Sequence, residues 1–229
     1  MRQTELQRIR ALPLFCDMSE ANFEALVGKA TQQHFPQHAT LITEGSVPEF
    51  LYIVLDGVVE LFACHDGHET TIDIMQPSMA FILAEVIGDA SYLKSAHTLT
   101  ATEILMIPAK IVRAVFERDV AFARAIVKEL AERYRGVVRA LKNEKLRSSA
   151  ERLANWILHA DAEQGHQRRI ELSFDKRTLA SSLGMTPENL SRNLALLAKH
   201  GVKSAGRDIV IENPAALEKF AKPNTLIDG

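Results

Sequence analysis

Between Val120 and Asn143 the apolar residues Ala123, Val127, Leu130, Tyr134, Val137 and Leu141 recur at steps of four, three, four, three and four. This spacing is the tightest constraint on the fold in the whole chain. It holds one stripe on one side of a helix for nearly three heptads. A stripe of that kind must be covered. A neighbouring layer of the same chain could do it. The regular spacing and the charged flanks Lys128, Glu129, Glu132, Arg133 and Arg135 favour a seam between two helices instead. The implied partner is a second copy of the chain, with Val127, Leu130, Tyr134, Val137 and Leu141 as its dimerisation residues.

The texture on either side differs. A helix is expected over 4–12, stopped by Pro13, and a second from a Ser19 cap to about Gln32. Short apolar runs follow, cut by Gly, Pro and Asp-Gly signals. They predict strands near 39–43, 50–55, 58–64 and 70–76, a hairpin at Asp66-Gly67, and two more strands within 96–107. Many short strands at this spacing suggest an antiparallel roll or barrel. Strand texture ends at Pro108, and a short helix is expected from Ala109 to Glu117. Beyond the long helix the pattern restarts. It predicts a helix over 147–161, a short strand in "IELSF", two helices, a hairpin turning at Gly206, a final helix in "PAALEKFAK" and a loose tail.

With 229 residues the chain has room for two domains. No apolar run approaches the roughly 18 to 20 residues of a membrane span. The charged N-terminus lacks the apolar core of a secretory signal, so the expected location is the cytoplasm. The only cysteines, Cys16 and Cys64, stand 48 residues apart and fit neither a structural zinc site nor an iron–sulfur cluster. Residues 1–142 carry 14 Lys and Arg against 18 Asp and Glu, whereas 143–229 carry 13 against 11. That asymmetry has the sign of a C-terminal nucleic-acid module. No P-loop, GxSxG, HExxH or dinucleotide glycine fingerprint points to an enzyme.

The stretch "DKRTLASSLGMTPENLSRNLALLAKHG" reads as two helices around a tight turn. Gly184 suits the turn, Thr186 is a natural N-cap, and Pro187 falls at the first helical position. Leu190, Leu194 and Leu197 form the buried stripe. Glu188, Ser191 and Arg192 share the opposite face near the N-terminus, where a recognition helix meets base edges. Arg192 can donate two bonds to guanine, Glu188 can accept from a cytosine amine, and Ser191 is small enough to approach a base or phosphate. Thr186 and Asn189 belong to the same candidate set, and Lys176 and Arg177 suit the phosphate backbone. The competing reading is a solvated i,i+4 ion pair.

Together these pieces resemble the CRP/FNR family of bacterial transcription regulators over nearly the whole chain. "LITEGSVPEFLYIVLDGVVELF" resembles the family's opening roll strands, with Gly45, Leu51, Tyr52, Gly57 and Val59 at family-like places. "AERLANWIL" resembles the start of its DNA-binding domain. The resemblance implies an α+β chain. A cyclic-nucleotide-binding-like jelly roll would span 1–118, a dimerisation helix 119–143 and a winged helix-turn-helix 144–229. Glu188, Ser191 and Arg192 spell the E-x-x-S-R pattern of the FNR-like branch. The implied operator is a palindrome related to TTGAT-N4-ATCAA, read by a homodimer that also meets RNA polymerase. The alternative is a cyclic-nucleotide-type module that controls a partner protein rather than DNA.

The sensor half departs from the cyclic-AMP-responsive branch. Those members carry Gly-Glu and, ten residues on, Arg-Ser; this chain has Leu83-Ala84 and Lys94-Ser95 there, and Val137-Val138 for the Thr-Ser of the long helix. Cyclic AMP is therefore not expected, since Lys does not replace a bidentate Arg. An apolar effector pocket is expected from Phe81, Ile82, Leu83, Val86 and Ile87, with Lys94, Ser95 and Val138 at its edge. Resemblance to the nitrogen-oxide-responsive branch would allow a haem, with His34, His38, His97 and Cys16 as candidate axial ligands.

Overall fold

The computed structural model describes residues 3–228, with side chains from residue 6 onward. Its contacts divide the chain into two compact units, Met1–Tyr134 and Arg135–Gly229.

The first unit opens with α1 (Gln3–Arg10) and α2 (Glu20–Val27). Eight strands follow: β1 (Thr31–Phe35), β2 (Thr40–Ile42), β3 (Phe50–Asp56), β4 (Val59–His65), β5 (His68–Met75), β6 (Ala80–Phe81), β7 (Ser95–Thr98) and β8 (Thr102–Pro108). The short α3 (Leu83–Gly88) interrupts them, and α4 (Ala109–Arg118) closes the set. Two four-stranded antiparallel sheets result, ordered β1-β8-β3-β6 and β2-β7-β4-β5. Leu51 and Ile53 from one sheet and Val59, Leu61 and Ala96 from the other meet in a single core, joined by Phe23, Leu26, Val112 and Val115 of the helices. Asp66 and Gly67 both have positive φ in the two-residue β4–β5 turn, the backbone a tight hairpin requires. Gly57 is constrained as well, with φ +85° and an added Cβ placed 2.5 Å from the Thr102 hydroxyl.

The N-terminal part of this unit differs from the sequence expectation. The helix that follows Ser19 ends at Val27 rather than near Gln32, and the Ser19 side chain makes no cap bond but donates to Asp119. Residues 31–35 instead form β1, a mostly exposed edge strand paired with β8.

The long helix α5 runs from Val120 to Leu146, and the boundary between the units falls within it. Phe122 and Ile126 face the core of the first unit and are fully buried. The second unit adds α6 (Ser149–Glu163), β9 (Arg169–Glu171), α7 (Lys176–Ser182), α8 (Pro187–Leu197), β10 (Val202–Ala205), β11 (Asp208–Ile211), α9 (Pro214–Ala221) and α10 (Thr225–Asp228). β10 and β11 form a hairpin turning at Gly206, and β9 adds to it as a third strand. Leu153, Ile157, Leu179, Leu190, Leu197, Ile209 and Leu217 build a separate small core. Ser148 and Glu151 form a capping box at the start of α6. The tail, expected to be loose, is a helical turn held by Arg147, which pairs with Asp228.

Candidate nucleic-acid interface

The helix-turn-helix is α7, a turn at Gly184 (φ +61°), and α8. Each helix begins on a side-chain cap: Asp175 accepts from the Thr178 amide at 2.8 Å, and Thr186 from the Asn189 amide at 3.2 Å. Pro187 takes the first helical position, where a missing N–H removes no hydrogen bond. Leu190 and Leu197 fix the inner face of α8, with Leu194 half-buried beside them. The fourth inward residue is Asn193, whose amide donates to the Ser149 hydroxyl at 3.1 Å.

The outer face carries Glu188, Ser191 and Arg192, all exposed. The Ser191 hydroxyl donates back to the Pro187 carbonyl at 3.0 Å, leaving its lone pairs outward. Glu188 is held below the usual carboxylate range by its own backbone amide first, then by Thr186, with Arg192 adding a through-space pull. It is therefore an acceptor at neutral pH. Thr186 lies exposed at the head of this face, and Arg177 is exposed on α7. Lys176 reaches the hairpin, donating to Ser204 at 2.8 Å. Asn189 does not join the set: it is half-buried and its amide turns to Ser149 at 3.4 Å.

Sequence reasoning missed Arg152. From α6 its guanidinium donates to the carbonyls of Leu183 (3.0 Å) and Gly184 (3.2 Å), bracing the helix-turn-helix turn. No local signal marks this bracing role, because the two turn carbonyls lie about thirty residues away.

The apolar stripe of α5 is open. Val127, Tyr134, Val137 and Leu141 are 60%, 70%, 66% and 50% exposed. Leu130 alone leans on the core of the first unit. The roll therefore takes the Phe122–Ile126 face of the helix, and the heptad face is left uncovered.

Phe81, Ile82, Leu83 and Val86 are all buried in the core of the first unit, and Phe81 stacks on Tyr52 at 5.3 Å between centroids. Ile87 is half-buried against the same core. Val138 belongs to the second unit. The Ser95 hydroxyl accepts from the Glu44 amide at 3.0 Å. Lys94 approaches Glu85, a carboxylate only 7% exposed, at 3.6 Å. Glu85 directly follows the Leu83-Ala84 pair on α3. Ile82 holds φ +58°, an uncommon strain for a β-branched residue. Arg133 of α5 holds this segment, donating to the Ala80 carbonyl at 2.6 Å, beside Asp73 (3.5 Å) and Glu129 (3.1 Å).

The four candidate haem ligands do not fit the group. Nε2 of His34 lies 3.1 Å from Glu103 on an exposed side chain, and Nε2 of His97 lies 3.0 Å from Glu60. His38 and Cys16 are exposed. Among the described residues no group of three or more His, Cys, Asp or Glu could hold a metal ion, and no helix is long and apolar enough to cross a membrane.

Two family models match the chain. Residues 32–119 match a cyclic nucleotide-binding domain, and residues 151–220 match a Crp-like helix-turn-helix domain. The chain belongs to the CRP/FNR family. It is a DNA-binding transcription regulator with a sensory domain of the cyclic-nucleotide-binding type. The cyclic AMP receptor protein of Thermus thermophilus is 25% identical over 93% of this chain and 98% of its own length. A solved cAMP-binding regulatory protein from Silicibacter pomeroyi, described as putative, is 26% identical, with a TM-score of 0.64 over 96% of this chain and all of its own. FixK2 from Bradyrhizobium japonicum shares the fold with a TM-score of 0.76 at 21% identity, covering 86% of this chain and 99% of that one. The CRP-like cAMP-activated global transcriptional regulator of Mycobacterium tuberculosis is 22% identical over 91% of this chain and 96% of its own length.

Proposed function

We propose that this CRP/FNR regulator is a cytoplasmic homodimer of the FNR-like branch that reads a palindrome related to TTGAT-N4-ATCAA. The carrying observation is the outward trio Glu188, Ser191 and Arg192 on a helix whose other face is locked by Leu190, Asn193 and Leu197. Arg192 reads guanine, Glu188 accepts from cytosine, and Ser191 offers an acceptor to the next edge. Arg177, Lys176 and Thr186 meet phosphates, and Asn189 supports the helix from behind. Val127, Tyr134, Val137 and Leu141, flanked by Leu130, pair two copies and set the two reading helices about one turn of DNA apart. In this reading 1–118 senses, 119–143 dimerises and 144–229 binds DNA, and the bound dimer recruits RNA polymerase. The Crp-like match over 151–220 counts against a module that controls only a protein partner.

The effector in this reading is not cyclic AMP. Lys94 replaces the bidentate Arg, Val137-Val138 replaces the base contacts, and Glu85 is already partnered by Lys94. A cyclic nucleotide is the second reading, favoured by that same buried Glu85 inside the matched domain. Fluorescence anisotropy on the palindrome tests both. Arg192→Ala should weaken binding about ten- to hundredfold, the cost of one lost bidentate base contact. Unchanged binding refutes the reading set. Cyclic AMP should leave the affinity unchanged; a saturable increase selects the second reading.

A further inference from the structure

The last residues of the described chain return to the junction where α5 ends and α6 begins. α9 stops at Lys222, whose φ of +48° and following Pro223 turn the chain back. Asn224 then caps the final turn: its carbonyl accepts from the amides of Ile227 and Asp228, and its side chain from the Leu226 amide, each at 2.8 Å. Asp228 reaches Arg147, whose side chain is only 7% exposed. Both carboxylate oxygens take part, one at 2.7 Å from Nη2 and the other on Nη1. The same guanidinium donates to the Asn143 side chain at 3.3 Å and the Lys222 carbonyl at 3.4 Å. One turn earlier, Lys142 donates to the Leu226 carbonyl at 2.8 Å. Lys222 itself pairs with Glu151 of the α6 capping box at 3.3 Å.

This junction is also tied to the reading head. The Arg147 carbonyl accepts from Arg152 at 3.1 Å, and Arg152 holds the Leu183 and Gly184 carbonyls of the helix-turn-helix turn. Both partners of the Arg147–Asp228 pair are shielded from water, and a bidentate guanidinium–carboxylate pair fixes direction as well as distance. The bond to the tail constrains the α5–α6 junction, and the Arg152 bonds tie α6 to the turn that joins α7 to α8, so the end of α5 and the reading helix are held through one chain of contacts.

We propose that residues 222–228 are a strap across the α5–α6 junction, with Arg147 as a positioning residue that fixes the angle between the end of α5 and the reading helix α8. The strap rests on contacts within the second unit; its consequence for DNA rests on the dimeric reading above. In a dimer, that angle decides which separation of half-sites both α8 helices can reach at once. The strap is thus a specificity element that touches no base.

Two measurements test it on the full chain. In hydrogen exchange, Asp228→Ala should speed the amides of 143–149 on the order of tenfold, with Asp228→Glu restoring most of the protection. Unchanged exchange in Asp228→Ala overturns the strap. In anisotropy, wild type should prefer the N4 palindrome over one lengthened by a base pair. Asp228→Ala should shrink that preference about tenfold while leaving affinity for an isolated half-site unchanged. Faster exchange with an unchanged spacing preference overturns the positioning role. Failure of wild type to bind any palindrome instead refutes the dimeric reading, and the exchange result still decides the strap.

Discussion

Asp119 sets where the long helix begins, and its removal should be costly in a way that depends on pH. Its Oδ1 accepts from the Phe122 amide at 2.9 Å, the N-cap bond of α5. Its Oδ2 accepts from the Ser19 amide and hydroxyl, both at 3.1 Å, and from the Asn22 amide at 2.9 Å. Burial opposes the charge, but these four donors outweigh it and bring the pKa down from 3.8 to about 2. An asparagine there must turn its NH2 toward one set of donors, whichever way it is flipped. The shift corresponds to about 2 kcal/mol favouring the ionised folded form. Because the folded pKa is depressed, that stability is complete above pH 3.8 and is lost as pH falls toward 2. Asp119→Asn should therefore lose about 2 kcal/mol in urea unfolding at pH 7. At pH 3 the linkage relation leaves about half of the gap. A loss below about 0.5 kcal/mol at pH 7 would refute the reasoning, since that is the scatter of an ordinary surface change. So would a gap of equal size at both pH values.

The remaining predictions concern the seam, the turns and the reading helix. Val137→Glu, at an exposed seam position, should give monomers in sedimentation and weaken palindrome binding while leaving the melting of the roll unchanged; a persisting dimer would move the interface elsewhere. Gly57→Ala should destabilise the first unit by several kcal/mol, on the order of 3, because positive φ and a clash with Thr102 combine; circular dichroism melts report it. Thr186→Ala removes the α8 cap and should cost about 1 kcal/mol in unfolding, together with weaker DNA binding.

What could be read from the sequence divides along a physical line. The heptad of α5, the Asp66-Gly67 hairpin and the Thr186-Pro187 helix start are local signals, complete within a few residues, and each reappears in the structure. β1 was invisible because "TQQHF" is a polar edge strand that exists only through pairing with β8, some seventy residues on. The strap was invisible for the same reason: Arg147 and Asp228 are 81 residues apart. An apolar run such as "FIL" carries no sign of whether it lines a space or fills one; in the structure Phe81, Ile82 and Leu83 are all buried.

α5 divides its surface between two tasks. Phe122 and Ile126 answer to the roll, while Val127, Tyr134, Val137 and Leu141 are left half or more exposed among the described residues. A substitution in the second group leaves the roll's core intact, so the choice of partner can drift without endangering the fold. A duplicated gene could then acquire a seam that excludes its parent by a few changes along one helix, each folded intermediate remaining viable. On the dimeric reading proposed above, the residues that decide which copies associate are free to vary because they take no part in holding a single copy together.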